Sequence, residues 1–190
     1  MAHLNHFDFL APLYDRIIKP ADPGKNCSLL GLPIHGSLLD VGGGTGRTSY
    51  GLKDFVTNIV IADSSIGMLN QANEKRAFIT VCSNSEQLPF KNKSFERVIM
   101  VDALHHVGDY RVTIDELWRV VIPGGRIVIE EPNIQKISVK FIALLEKLIL
   151  MRSHFISPEK TKENFCYPNA SIRIESEGLT SWVVIEKQSG

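Results

Sequence analysis

The chain has 190 residues, 44% of them apolar, which is enough for one domain with a full core. Lysine plus arginine and aspartate plus glutamate number 21 each, so the net charge is zero, and no basic stripe suggests a nucleic-acid binder. Three scattered cysteines, Cys27, Cys82 and Cys166, argue against a disulfide framework or a zinc site, and no run of about 18 apolar residues could span a membrane.

In chain order, the N-terminal stretch is broken by Asp8, Pro12 and Asp15. It is therefore not a signal peptide, and the expectation is a soluble, cytoplasmic protein. "GSLLDVG" is a short buried strand that enters a glycine turn, and "TSYGLKDF" reads as a helix after it. "NIVIADSS" is a second strand, followed by a helix over "SSIGMLNQANEKR" that Ser64 or Ser65 could cap. "FITVCSN" and "SFERVIMVDA" are a third and a fourth strand. "VTIDELWRVVI" is a helix with Ile114, Leu117 and Val121 on one face. Pro123-Gly124-Gly125 stops it, and "RIVIEEP" is a fifth strand. The strands are nearly continuous in Val, Ile and Leu, as expected when both faces are covered.

After Pro132 the pattern changes. A long, largely apolar helix is expected over 136–152, then a polar stretch, then two strands joined by a turn at Glu177-Gly178. The expected fold class is α/β: a Rossmann-like, open, mostly parallel seven-stranded sheet with helices on both faces and an antiparallel C-terminal strand. No linker or repeat divides the chain, so residues 1–190 read as one domain. Residues 1–35 form an N-terminal cap, 36–132 a ligand-binding core and 133–190 a variable helix with a closing strand pair.

In such sheets ligands bind beyond the carboxyl ends of the strands, where strand order reverses. Register decides what the turn "DVGGGTGR" holds. A phosphate loop requires a glycine five residues before Gly46, where Val41 stands, and a lysine where Arg47 stands. A dinucleotide turn, G-x-G-x-x-G, fails whether it starts at Gly42, Gly43 or Gly44, and Asp40 would repel a pyrophosphate. The pattern that fits is D-x-G-x-G-x-G: Asp40, Gly42, Gly44 and Gly46. Asp63, 19 residues after Gly44, ends the second strand, where a carboxylate can accept from both hydroxyls of a ribose.

This pattern resembles the first motif of class I S-adenosylmethionine-dependent methyltransferases. "SNSEQLPFKNKSFERVIMVDALHHV" and "ELWRVVIPGGRIVIEEP" resemble later segments of the family related to ubiquinone and menaquinone C-methylation. The resemblance covers roughly 36–132, with a weaker likeness at "FDFLAPLYD" and "SWVVIEK". It implies S-adenosylmethionine as cofactor and S-adenosylhomocysteine as product. Asp40, Gly42, Gly44 and Gly46 would hold the methionine part and Asp63 the ribose. Ser64 and Met68 would lie beside the adenine, Asn84 and Ser85 at its edge, and Leu104 would complete the cofactor set. Asn84 stands where the family has an acid, so it accepts from the adenine amino group without charge.

Methyl transfer is an in-line displacement at an already reactive carbon, so alignment and water exclusion matter more than a triad. His105 and His106 are the candidate bases for an acceptor that must lose a proton. Tyr14, Phe9 and Phe7 could fold over the cleft as a lid. No metal site is expected, because neighbouring histidines diverge and further ligands are not evident. Glu130 and Glu131 end the fifth strand; one could reach substrate, and at least one is expected to be solvated. The helix over 136–152 could pack on the sheet, join a dimer, line an apolar pocket or touch a membrane. The expected function is methyl transfer to a small molecule, such as a quinone precursor or another aromatic or apolar metabolite. The alternatives are a catalytically silent S-adenosylmethionine-binding protein and an NAD-dependent oxidoreductase. Expected partners are the small-molecule substrate and, in the assembly, a second copy of the chain, with no nucleic acid and no stable membrane span.

Overall fold

The computed structural model describes Ala11, Tyr14, Asp15 and residues 21–133 and 156–189. Seven strands form one sheet in the order β3-β2-β1-β4-β5-β7-β6. They are β1 Ser37–Val41, β2 Asn58–Asp63, β3 Ile79–Cys82, β4 Phe95–Val101, β5 Val121–Pro132, β6 Ala170–Glu177 and β7 Thr180–Lys187. Strands β1 to β5 pair in parallel, and β7 is antiparallel to both β5 and β6. Strand order reverses at β1, which lies between β2 and β4, so a crevice opens beyond Val41 and Val101.

Alternation along each strand divides the core in two. Leu39, Val41, Val60, Ala62, Val98, Met100, Ile127 and Ile129 face one side, where Ile114, Leu117 and Val120 of α3 (Tyr110–Val120) cover them. Leu38, Ile59, Ile61, Ile99 and Val128 face the other. That side is covered by Leu29 and Leu30 of α1 (Pro23–Leu30), Leu52 of a 3-10 turn (Ser49–Phe55), and Leu69 and Ala72 of α2 (Ile66–Glu74). Helices thus lie on both faces, and a short α4 (Pro158–Asn164) packs beside β6 and β7.

Local chemistry explains the ends of these elements. Asp22 caps α1 through the Gly24 N–H, Pro23 opens it and Gly31 closes it in the left-handed region. Its last carbonyls accept from arginines on two strands: Arg126 Nη1 reaches Leu29 O at 2.7 Å and Arg97 Nε reaches Leu30 O at 2.5 Å. Of the two serines expected to cap α2, Ser65 does so, accepting from the Met68 N–H at 3.1 Å. Asp109 caps α3.

The structure also gives the "E-x-x-R" and "LPF" segments a physical link. Glu116 accepts from the Leu88 N–H at 2.7 Å, while Arg119 donates to Leu88 O, Phe90 O and Glu116. One helical pair thereby fixes the backbone of the loop before β4, and Phe90 packs edge-on to Phe95 at 5.0 Å.

Two details differ from the sequence reading. "TSYGLKDF" forms a 3-10 turn, Ser49–Phe55. Gly51 lies close against α1, where an added Cβ would meet Pro23 Cγ at 2.8 Å. Strand β5 begins at Val121 rather than Arg126; Pro123-Gly124-Gly125 make an excursion within it, between the pairs Phe95–Val121 and Arg97–Arg126. The expected helix over 136–152, with Phe7 and Phe9, lies outside the described residues.

Leu117 is fully buried at the centre of the α3–sheet contact. Leu117→Ala is expected to destabilise the chain by about 2–5 kcal/mol, through lost burial and the cavity left behind. Urea unfolding checks this; a loss below about 1 kcal/mol would mean that α3 does not carry that side of the core.

Candidate functional site

A cavity of about 540 Å³ lies at the strand-order reversal. It brings together Asp40, Gly42, Gly44, Asp63, Ser64, Met68, Asn84, Ser85, His106 and Tyr14 from the sequence-derived set.

The glycine turn crosses the cavity floor. The Gly42 N–H donates to Ala62 O at 2.7 Å, and an added Cβ at Gly42 would lie 2.6 Å from Ala103 Cβ. With φ at 68°, only glycine fits there without strain. Asp63 holds the turn from the side. Its Oδ2 accepts from the Gly44 N–H and its Oδ1 from the Ser65 N–H, both at 2.8 Å. A carboxylate oxygen has two lone pairs and can accept more than one donor.

Asp40 is buried beneath the turn and accepts from Ser49 Oγ at 2.6 Å. Burial, with a smaller contribution from nearby Asp63, pushes its carboxyl up to about 6; Ser49 and Arg47 oppose that shift.

The opposite wall is the loop after β4. Glu131, at the end of β5, accepts from the Ala103 N–H at 3.0 Å and the Leu104 N–H at 2.7 Å. Its other oxygen holds His105 Nδ1. Glu86 accepts from the Gly108 N–H at 2.8 Å and the Asp109 N–H at 3.2 Å, pinning the far end of this loop. Asp102 sits between the walls with φ at 50°, and Arg47 Nη2 reaches its Oδ2 at 3.0 Å. Burial, with Glu131 nearby, raises the Asp102 carboxyl above the usual range, and Arg47 opposes it.

Three expected positions lie elsewhere. His105 is buried against Glu131 and does not line the cavity; His106 does. The two rings are 4.0 Å apart, and burial, then the charge of His105, pulls His106 down to about 3, so its ring is neutral near pH 7. Leu104 turns its side chain into the core and offers its N–H to Glu131 rather than to the cavity. Gly46 serves packing: an added Cβ would meet Phe78 Cε2 at 2.5 Å and Ile61 Cδ1 at 2.6 Å. Glu130 and Glu131 are both buried, unlike the solvated acid expected, with Glu130 accepting from Asn26 Nδ2 at 3.1 Å. Burial raises the Glu130 carboxyl.

Sequence reasoning passed over Arg47, Ser83 and Glu86 as lining residues. For Arg47 a signal was present: it directly follows the glycine turn. Among the described residues no cluster of His, Cys, Asp and Glu could hold a metal, and no helix is long and apolar enough to cross a membrane.

Comparison with known proteins agrees with this geometry. The methyltransferase-domain family Methyltransf_11 matches residues 39–129. A demethylmenaquinone methyltransferase of Paenarthrobacter aurescens strain TC1 is 30% identical over 133 residues, covering 66% of this chain and 53% of that protein. One of Mycobacterium sp. strain JLS is 28% identical over 183 residues, covering 93% of this chain and 76% of that protein. The chain thus spans about half the length of the first relative. A Haloferax volcanii methyltransferase solved with the Trm112 methyltransferase activator superimposes with a TM-score of 0.82 at 16% identity, over 99% of this chain and all of that one, and so shares its fold. Strand order, glycine turn and domain match together support a class I S-adenosylmethionine-dependent methyltransferase. Both of these relatives bear the name demethylmenaquinone methyltransferase. The oxidoreductase and silent-binder alternatives gain no support from these matches, nor does a homodimer.

The raised Asp40 carboxyl has a consequence for stability. The folded chain holds this proton up to about pH 6, while the unfolded chain releases it near 3.8. Its stability contribution is therefore fully present below about pH 4 and lost as pH rises through about 6. Between pH 4 and 7 the wild type is expected to lose up to about 3 kcal/mol relative to Asp40→Asn in urea unfolding. Parallel stability curves for the two proteins would contradict this.

Proposed function

We propose that this chain transfers the methyl group of S-adenosylmethionine to a small aromatic or apolar acceptor, with a quinone precursor the favoured candidate. The observation that carries this reading is the cavity in which Asp63 braces the glycine turn opposite His106. The demethylmenaquinone methyltransferase names of the relatives support the acceptor class.

The donor set fits the cofactor. Gly42 and Gly44 bring the main chain to the cavity, and Asp63 offers two carboxylate oxygens to vicinal hydroxyls. Ser83 lines the same cavity and its Oγ is buried without a partner among the described residues, a position a ligand donor or acceptor would satisfy. Asp40, Asp63, Glu86 and Asp102 make the walls acidic, which suits a ligand with an ammonium and a sulfonium and does not suit a pyrophosphate.

When bound, S-adenosylmethionine supplies an activated methyl group on its sulfonium. The chain's residues align and shield the reactants. Asp63 would orient the ribose, Met68 and Ser64 would pack beside the adenine, and Asn84 and Ser85 would meet its edge. Met100, Ala103 and Val107 add apolar surface that excludes water. His106 is a weak base at about 3, so its neutral ring would orient the acceptor by hydrogen bonding rather than hold its proton. Tyr14 would close the mouth of the cavity.

Calorimetry with S-adenosylhomocysteine is expected to give a Kd below millimolar, with no heat from NAD. Asp63→Ala is expected to weaken it by roughly 10- to 100-fold, the range for hydrogen bonds to a charged group. NAD binding without S-adenosylhomocysteine binding would sink the reading. Label transfer from methyl-labelled S-adenosylmethionine to demethylmenaquinol then tests the acceptor; cofactor binding without labelled product from this quinol or a cell extract would favour a silent binder.

The lowered pKa of His106 makes a separate prediction. The rate profile is expected to show no limb from His106 between about pH 5 and 8. His106→Ala is expected to slow transfer about tenfold while S-adenosylhomocysteine affinity stays within about twofold. A limb near pH 6.5 that disappears in His106→Ala would instead make His106 the base.

A further inference from the structure

A second cavity, of about 240 Å³, lies at the other end of the central strands and shares no lining residue with the first. Arg97, Arg126, Glu186, Lys187 and the Gly124-Gly125 excursion of β5 line it. Arg97 stands four residues before Val101, which lines the first cavity, so the two are separated by roughly 13 Å along β4.

Register puts the charges side by side. Arg97 of β4 pairs with Arg126 of β5, and Arg126 with Glu186 of β7. Like charges directly opposite on neighbouring strands repel. Each arginine reaches a last carbonyl of α1, Arg97 through Nε to Leu30 O and Arg126 through Nη1 to Leu29 O. Arg97 Nη1 donates to Glu96 O at 2.8 Å, and its Nη2 has no partner among the described residues. Arg126 Nη2 meets Glu186 at 2.6 Å, and Arg173 shares that carboxylate at 3.2 Å. Lys187 is buried, with its ammonium donating to Trp118 O and Val121 O.

Three cations thus face one carboxylate around this cavity, in a chain whose net charge is zero. Burial, and then the charge of Arg126, pulls the Arg97 guanidinium below its ordinary pKa, with Glu96 and Glu186 opposing only in part. Burial, and then Lys93, pulls the Lys187 ammonium down as well. Capping α1 accounts for one nitrogen of each arginine and leaves the excess of positive charge at the cavity unexplained. A concave site with such an excess attracts anions, and guanidinium forks suit the oxygens of a phosphate group.

We infer that this cavity binds a phosphate group, at a site separate from the methyl-transfer cavity and independent of what that cavity holds. Arg97 Nη2 and the Arg126 guanidinium contact it, Lys187 adds charge, and the bare main chain at Gly124, with φ at 79°, allows close approach. A phosphate ester carries about −1.5 to −2 charges at pH 7, which matches the local excess. Glu186 competes with it for Arg126.

Calorimetry of the full chain with inorganic phosphate at low ionic strength is expected to give a Kd of about a millimolar or tighter, with chloride at matched ionic strength giving no saturable heat. Glycerol 3-phosphate is the second probe: binding tighter than inorganic phosphate supports a site for a phosphate borne on a metabolite, and weaker binding supports a site for the free ion. Arg97→Met is expected to weaken phosphate at least about tenfold, the loss of a hydrogen bond to a charged group. Glu186→Gln, which removes the competing carboxylate and keeps the shape, is expected to tighten phosphate about threefold or more. Arginines that only cap α1 would produce no such gain. No saturation by about 10 mM phosphate overturns the inference, on the scale where 1 mM is already weak binding. So does equal binding of chloride, or a Glu186→Gln variant that binds phosphate no better than wild type. If Arg97→Met does not fold, wild type and Glu186→Gln decide.

Discussion

The carboxylate of Asp63 is the contact on which the cavity depends. Its two oxygens take the N–H groups of Gly44 and Ser65, each at 2.8 Å. One side chain thus joins the glycine turn, the end of β2 and the first turn of α2. Ser65, fixed through its N–H, caps α2 through its hydroxyl at the N–H of Met68, and Met68 faces the cavity. A glycine turn alone is free to adopt many conformations, so its shape must be imposed by partners of this kind. A carboxylate does this well, because backbone donors to a charged acceptor are worth more than neutral pairs.

The opposite wall follows the same logic with different acids. Glu131 and Glu86 take backbone N–H groups at the two ends of the loop between Ala103 and Asp109. Burying carboxylates is costly unless donors meet them, and here the donors are mainly main-chain N–H groups rather than lysines or arginines. The walls therefore stay acidic while the acids are satisfied. Glu131 also decides which histidine lines the cavity: by taking His105 Nδ1 it draws that ring into the core and leaves the next one at the cavity.

These distinctions mark the limit of what the sequence could show. The alternating strands, the two-residue beat from Asp40 to Gly46 and the acid at Asp63 are local patterns, and Asp40, Gly42, Gly44 and Asp63 meet at one cavity. The role of Gly46 is different: the need for glycine there comes from Phe78, a residue 32 positions away that presses on the turn. Likewise, "DALHHV" cannot say which histidine is exposed, because the answer sits 26 residues later at Glu131. The two rings lie together, 4.0 Å apart, rather than diverging as expected of neighbours, and only tertiary contact chooses which of them lines the cavity. Arg47 was read as a failed lysine of a phosphate loop; its surroundings, Tyr14 and Asp102, come from segments on either side of it in the chain. The burial of Glu130 and Glu131 was missed because both continue β5 at the point where β7 pairs with it, and pairing covers side chains that look like loop acids in sequence.

The chemistry explains why the two walls have unequal demands. A sulfonium needs no acid to become a leaving group, so the donor side has only to hold position, and rigid carboxylate–backbone contacts suffice. The acceptor side must place a nucleophilic atom in line with the methyl group, where a small displacement costs much of the rate. Beside the acids Glu86 and Asp102 it offers an apolar surface of Met100, Ala103 and Val107, with a histidine held neutral by burial. Such a surface disfavours a charged acceptor group, which would lose its water without gaining a partner. A flat, apolar acceptor that brings its own electron-rich carbon or a weakly acidic hydroxyl loses little on entry. On the proposed reading, the acids would hold the donor and the apolar surface would receive the acceptor, at opposite ends of polarity within one cavity.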